Sequence, residues 1–134
     1  MKKPALLKPV VWVGSSLKDL RKFPEPVKDE AGHALMEAQS GLKPASAKPL
    51  TGFGGASVLE IVSDFQTDTY RAVYTVQFEG VLYVLHAFQK KSKRGAETPL
   101  ADLELIRSRL AWARQLHEAR AEQTKKRRSD EEPS

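Results

Sequence analysis

The sequence predicts an α+β fold, with two N-terminal helices and a C-terminal helix packed on a small, mainly antiparallel sheet. Three observations carry that expectation. Between residues 57 and 90, short β-branched and aromatic runs follow one another with only short turns between them, which favours antiparallel pairing. On either side of that block, apolar residues recur at three- and four-residue steps, the period of a helix. The chain has 134 residues, enough for one modest core.

Each element has its own local cause. Pro9-Val10-Val11-Trp12-Val13 suits a first strand, and Gly14 ends it. Ser15 or Ser16 caps a short helix running through Lys22, with Leu17 and Leu20 on one face. Phe23-Pro24-Glu25-Pro26 interrupts it. Pro26 can open the second helix, because its missing N–H has no partner to lose there. Val27, Ala31, Ala34, Leu35 and Ala38 form the inner stripe of that helix, which ends near Gly41. Leu42 to Ala56, rich in Pro, Gly, Lys and Ala, reads as a loop. No helix start follows its glycines, which argues against a phosphate-binding loop.

Three strands follow, at Ser57–Asp64, Tyr70–Phe78 and Val81–Lys90. Glu79-Gly80 is expected as a two-residue hairpin turn, the glycine supplying positive φ. The third strand is apolar on both faces, with Leu82, Val84 and Phe88 on one and Val81, Leu85 and Ala87 on the other. That places it inside the sheet. Thr98-Pro99 caps and opens the last helix, whose inner face is Leu103, Ile106, Leu110, Ala113 and Leu116. It is expected to reach about Glu122. Residues 1–122 then make a single domain, and 123–134, without an apolar side chain, a disordered charged tail.

The chain carries 22 Lys and Arg against 17 Asp and Glu, a net charge of +5. Such a balance favours anionic partners, although a charged surface also serves solubility. There is no cysteine, which excludes disulfides, thiolate nucleophiles and Cys-ligated zinc. His33, His86 and His117 have no metal-ligand spacing, so neither a metal nor another cofactor is expected. No apolar run approaches the roughly 20 residues of a membrane span, and after Met1-Lys2-Lys3 the apolar residues are interrupted by Lys8, Pro9 and Ser15, so they form no h-region. A cytoplasmic protein with no membrane partner is expected.

The chemistry concentrates at the end of the third strand. Lys90, Lys91, Lys93 and Arg94 put four cations into five positions with no acid among them. Their repulsion costs stability unless an anion such as a phosphate backbone visits, while a solvated charged loop is the plainer alternative. Arg71 lies on the neighbouring strand, and regular pairing across Glu79-Gly80 sets Gln89 near Tyr70. Arg71, Lys90 and Lys91 then share one end of the sheet.

Such a cluster can cleave RNA without a metal. It holds the 2′-hydroxyl in line with the adjacent phosphate and neutralises the transition-state charge. Arg71, Lys90 and Lys91 are the candidate catalytic residues. His86 is either a general base or a hydrogen-bonded core residue. Lys93 and Arg94 are candidate RNA-binding residues. Tyr70 and Tyr74 are read either as base-stacking platforms or as core. Glu60, Asp64 and Asp68 are too scattered to specify a carboxylate pair, and Glu60 is expected to pair with a basic neighbour. Ser92 lacks a visible His/Asp partnership.

Tyr70-Arg71-Ala72-Val73-Tyr74, a hairpin, and then Leu85-His86-Ala87-Phe88-Gln89-Lys90-Lys91-Ser92 resemble the RelE/ParE toxin superfamily, closest to its phage-derived, HigB-like branch. The similarity covers roughly residues 9 to 118, through Thr98-Pro99 and the helix bearing Ile106-Arg107 and Arg109. The resemblance implies the toxin of a type II toxin–antitoxin system. It implies mRNA cleavage, commonly on the ribosome, and a helix-turn-helix, HigA-like antitoxin through which operator DNA is bound. It implies phosphate binding by Arg71 and transition-state stabilisation by Lys90, Lys91 and Arg94. Two positions depart from the pattern. Val62 stands where relatives often carry arginine, and no tyrosine follows Tyr83. Val62 keeps open a ParE-like gyrase inhibitor, or an inactive relative that still binds antitoxin.

Overall fold

The computed structural model describes residues 7–55, 57–90 and 98–131. In order, they form β1 (Val10–Trp12), α1 (Ser16–Leu20), α2 (Glu25–Gln39), β2 (Ala47–Pro49), β3 (Val58–Phe65), β4 (Asp68–Thr75), β5 (Leu82–Lys90) and α3 (Leu100–Glu131). The five strands make one sheet in the order β1-β5-β4-β3-β2. All neighbours are antiparallel except β1 and β5, which run parallel. The expected α+β architecture is the one adopted, and β5 lies inside the sheet as its two apolar faces require.

Alternation along the strands splits the core into two layers. Leu59, Ile61, Tyr70, Ala72, Tyr74, Leu82, Val84 and Ala87 face α1 and α2, meeting Leu20, Phe23, Val27, Ala31, Ala34, Leu35 and Ala38. Val58, Val73, Tyr83 and Leu85 face α3, meeting Ile106 and Ala113, with Leu103 and Leu110 packed at the margin. In the first layer α2 brings mostly alanine to the sheet. That allows the helix to approach closely.

Sequence and structure part company in four places. The segment expected as loop contains β2, an edge strand paired with β3 alone. Pro49 is tolerated there because an edge residue can turn its missing N–H to solvent.

The hairpin between β4 and β5 is longer than two residues, since β4 stops at Thr75 and β5 starts at Leu82. Glu79 and Gly80 are still the central turn residues. The Val81 amide donates to the Phe78 carbonyl at 3.4 Å, and Gly80 has φ +79°. Phe78 folds inward against Tyr83, ring centroids 5.5 Å apart, and that burial removes residues from the ladder.

A β-bulge falls opposite Val73 and Tyr74. Tyr74 pairs with Val84 and Val73 with His86, leaving Leu85 as the extra residue. Regular alternation along the strand would set His86 on the side of Val84 and Phe88. The bulge turns His86 and Phe88 to the α3 face instead, next to Leu85. Beyond it, Tyr70 pairs with Gln89. The expected register therefore holds at that end, because the longer turn and the bulge compensate.

Finally, α3 does not stop near Glu122 but continues to Glu131. The segment expected as a disordered tail has no glycine or proline before Pro133. Its Gln, Lys and Arg residues are good helix formers.

Candidate functional site

β3, β4 and the start of α3 bring a buried ionic cluster together on the α3 side of the sheet. Glu60 is cross-strand neighbour to Val73, and Arg71 sits two residues before Val73 on the same face. The two side chains therefore meet diagonally across the ladder. Arg71 Nη1 donates to Glu60 Oε2 at 3.2 Å and Oε1 at 3.4 Å, and to Thr98 Oγ1 at 3.0 Å. Thr98 Oγ1 donates in turn to Glu60 Oε2 at 3.3 Å. Lys48, directly opposite Glu60 on β2, reaches its Oε1 at 3.6 Å. Arg71 and Glu60 are each only 3% exposed. Buried charges of this kind persist because each is the other's partner.

Around this cluster lies a cleft of about 430 Å³, lined by Lys48, Leu50, Gly52, Glu60, Thr98, Leu103 and Arg107 among others. Arg107 lies over the Phe53 ring, 5.2 Å from its centroid, and reaches the Gly52 carbonyl at 3.4 Å. The cleft thus has cations at its rim and a carboxylate at its floor. Thr98 stands between the cleft and Arg71.

The residues singled out in the sequence are distributed unevenly around this cleft. Lys90 pairs with Thr69 at the end of β5 and Arg71 with Phe88, so Lys90 and Arg71 share a face, two positions apart in register. Lys91, Lys93 and Arg94 lie outside the described residues. Arg71 is buried, and its Nη1 is engaged by Glu60 and Thr98.

Tyr74 is 1% exposed in the opposite layer, where burial pushes its phenol up to about 12. It offers no ring face to a base. Tyr70 lies in that layer as well, edge-on to Phe23 with centroids 5.0 Å apart. Strand alternation separates both tyrosines from Arg71, which only side-by-side reading of the sequence had joined.

His86 is buried on the α3 face. Its Nε2 lies 2.7 Å from Asp102 Oδ1 in the first turn of α3, and its ring stacks on Phe88 at 4.7 Å and 17°. The bond holds the start of α3 to β5.

Reading residues alone missed Lys48, Thr98 and Arg107 as a set with Glu60. Lys48 opposite Glu60 follows from pairing β2 with β3, and β2 was not expected. A second connection was also missed. Arg109 Nη1 donates to the carbonyl of Leu85, the bulge residue, and Nη2 to Ser15 Oγ, both at 2.9 Å. Ser15 Oγ donates onward to Asp19 Oδ2 at 2.7 Å. Arg109 so ties α3, the bulge and α1 together.

A model of the phage-derived Gp49-like family matches residues 18–111 of the chain, from α1 to the middle of α3. Among solved structures, the toxin–antitoxin complex RelBE2 from Mycobacterium tuberculosis is similar at 19% sequence identity. The match covers 63% of this chain and 100% of that one with a TM-score of 0.44. No curated protein matches the chain.

Proposed function

The chain belongs to the phage-derived Gp49-like family, a RelE-like toxin family, and on that premise we propose that it is a toxin that arrests growth by cutting mRNA. One observation carries the proposal. Lys48 and Arg107 rim a cleft on the α3 side of the sheet whose floor carries the carboxylate of Glu60, and Lys90 lies on the same face of the sheet at the end of β5.

Phosphodiester cleavage through the 2′-hydroxyl asks for such groups. In this reading the phosphate of an RNA strand seats on the cations of the cleft and of the segment Lys90, Lys91, Lys93 and Arg94. The 2′-oxygen attacks the adjacent phosphorus, and the bond to the 5′-oxygen of the next nucleotide breaks. Glu60 accepts the 2′-hydroxyl proton, and a lysine ammonium of the basic segment supplies a proton to the leaving oxygen. The products are a 2′,3′-cyclic phosphate and a free 5′-hydroxyl. The cations are worth most in the transition state, when the phosphate carries extra charge. Arg71 acts here as a positioning residue, holding Glu60 at the cleft floor. His86 holds the start of α3 in register with β5. Neither step requires a metal.

The partner in this reading is a helix-turn-helix antitoxin, and the place of action is the translating ribosome in the cytoplasm. Among the described residues, no helix is long and apolar enough to cross a membrane.

The test is induced expression in a bacterium, with growth followed and mRNA 5′ ends mapped. Wild-type protein should arrest growth and create 5′-hydroxyl ends inside reading frames. A Lys90→Gln/Lys91→Gln variant, folded by circular dichroism, should do neither. Arrest without new ends, and with DNA breaks instead, would replace cleavage by gyrase inhibition. Undiminished cleavage by the variant would remove the basic segment from the mechanism.

A further inference from the structure

α3 outlasts the core it packs on. Its 32 residues span about 48 Å at 1.5 Å each, but Ala113 is its last buried residue. The inner stripe Leu103, Ile106, Leu110, Ala113 continues in the same helical phase as His117, Arg120, Ala121, Thr124, Lys125 and Arg128. Those six residues line one side of a groove of about 570 Å³, whose other side is Pro9, Glu79, Gly80 and Val81. The helix face that is apolar over the sheet therefore becomes basic where the sheet ends.

Nothing described neutralises those cations. Among the described residues, no ion pair engages Arg120, Lys125 or Arg128. Arg114, one turn earlier, is spent on the Phe78 ring at 5.5 Å. The base of the groove is rigid: His117 Nδ1 and the Tyr83 hydroxyl are 3.0 Å apart, and Phe78 packs on both rings. Between its cations the helix presents only Ala121 and Thr124, so there is no large apolar anchor of the kind that seats a protein partner. A row of cations on one helix face, opposite a glycine turn with one acid, fits a polyanion.

We propose that this groove binds the phosphodiester backbone of an RNA strand, as a second RNA contact separate from the cleavage cleft. It rests on the reading of the chain as an RNA-directed protein and adds where, besides the cleft, RNA is gripped. The groove lies at the start of β5 and Lys90 at its end. The eight steps from Leu82 to Lys90, at about 3.3 Å each, set the two roughly 26 Å apart. The groove therefore anchors RNA at a distance from the scissile bond.

The test measures binding of a fluorescent 2′-fluoro oligouridylate to the full chain. That probe has no 2′-hydroxyl to attack, so its binding is independent of whether the protein cleaves RNA. Two variants remove the same charge from adjacent positions: Lys125→Gln/Arg128→Gln inside the groove and Lys126→Gln/Arg127→Gln outside its lining. Glutamine keeps the helix propensity close to that of the cations. Two single-strand phosphate contacts contribute a salt slope of about 1.4, which amounts to roughly 25-fold in affinity at about 0.1 M salt. The groove pair should lose affinity on that order and the outer pair at most a few-fold. Equal losses from the two pairs would show diffuse attraction to a basic tail and overturn the groove. So would undiminished binding by the groove pair.

Discussion

Removing the Arg71 guanidinium leaves the Glu60 carboxylate buried at the cleft floor with Lys48 and Thr98 as its remaining partners. Glu60 is 3% exposed, and the Lys48 side chain that remains is 50% exposed, so Lys48 is well hydrated and compensates little. Breaking a buried pair from one side costs about 3–5 kcal/mol, because the surviving charge must stay dehydrated or the strands must open. A domain's whole stability is about 5–15 kcal/mol. With a urea slope of about 2 kcal/mol per molar, Arg71→Ala should lower the unfolding midpoint by roughly 2 M.

Replacing both partners by apolar residues of similar length, Arg71→Met with Glu60→Leu, removes the stranded charge and should recover most of that loss. The assay is urea unfolding of the four corners of the double-mutant cycle, followed by circular dichroism. A single-variant shift below about 0.5 M, or a double variant no more stable than the worse single, would refute the pairing argument. The outcome also governs how activity is read. A silent Arg71→Ala protein that has lost this much stability says nothing of phosphate contact, which is why the cleavage test uses Lys90 and Lys91.

Two further expectations follow from the same structure. The Tyr74 phenol is held neutral by burial up to about 12, against 10 in the unfolded chain. Its contribution is complete below pH 10 and is lost as pH rises through the folded value. Unfolding free energy should therefore fall by roughly 2–3 kcal/mol between pH 10 and 12. Tyr74→Phe should flatten that limb of a pH series measured in urea, and an unchanged limb would remove Tyr74 as its cause. At Gly14, φ is +58° and an added Cβ would meet Arg109 Nε at 2.8 Å. Gly14→Ala should then cost about 1–2 kcal/mol from the left-handed backbone, together with the displacement of Arg109 from Leu85 and Ser15. A thermal melt reads the loss. If Arg109→Ala makes Gly14→Ala no cheaper, the contact is not the cause.

Local chemistry determined much of this protein before any contact was known. The alanine-rich stripe from Val27 to Ala38 sets α2, the two apolar faces of Leu82 to Phe88 make β5 an interior strand, and Thr98-Pro99 starts α3. Those signals are periodic or steric, and need no knowledge of partners. The basic segment from Lys90 and the arginine at position 71 were legible too, as a concentration of charge and a family-like spacing.

What they touch was not legible. Which face His86 occupies depends on one bulge residue, Leu85, whose carbonyl is taken by Arg109 from 24 residues away. Whether Arg71 meets a phosphate or a carboxylate depends on the β3–β4 register and on Thr98, 27 residues further along. Lys48 joins them only because an edge strand containing proline closes the sheet. The run of cations in α3 reads as a disordered tail until the helix carries the phase of its buried stripe beyond the sheet. Propensity and periodicity act within a few residues. Pairing, burial and charge compensation act between residues far apart in sequence, so only the tertiary structure could decide them.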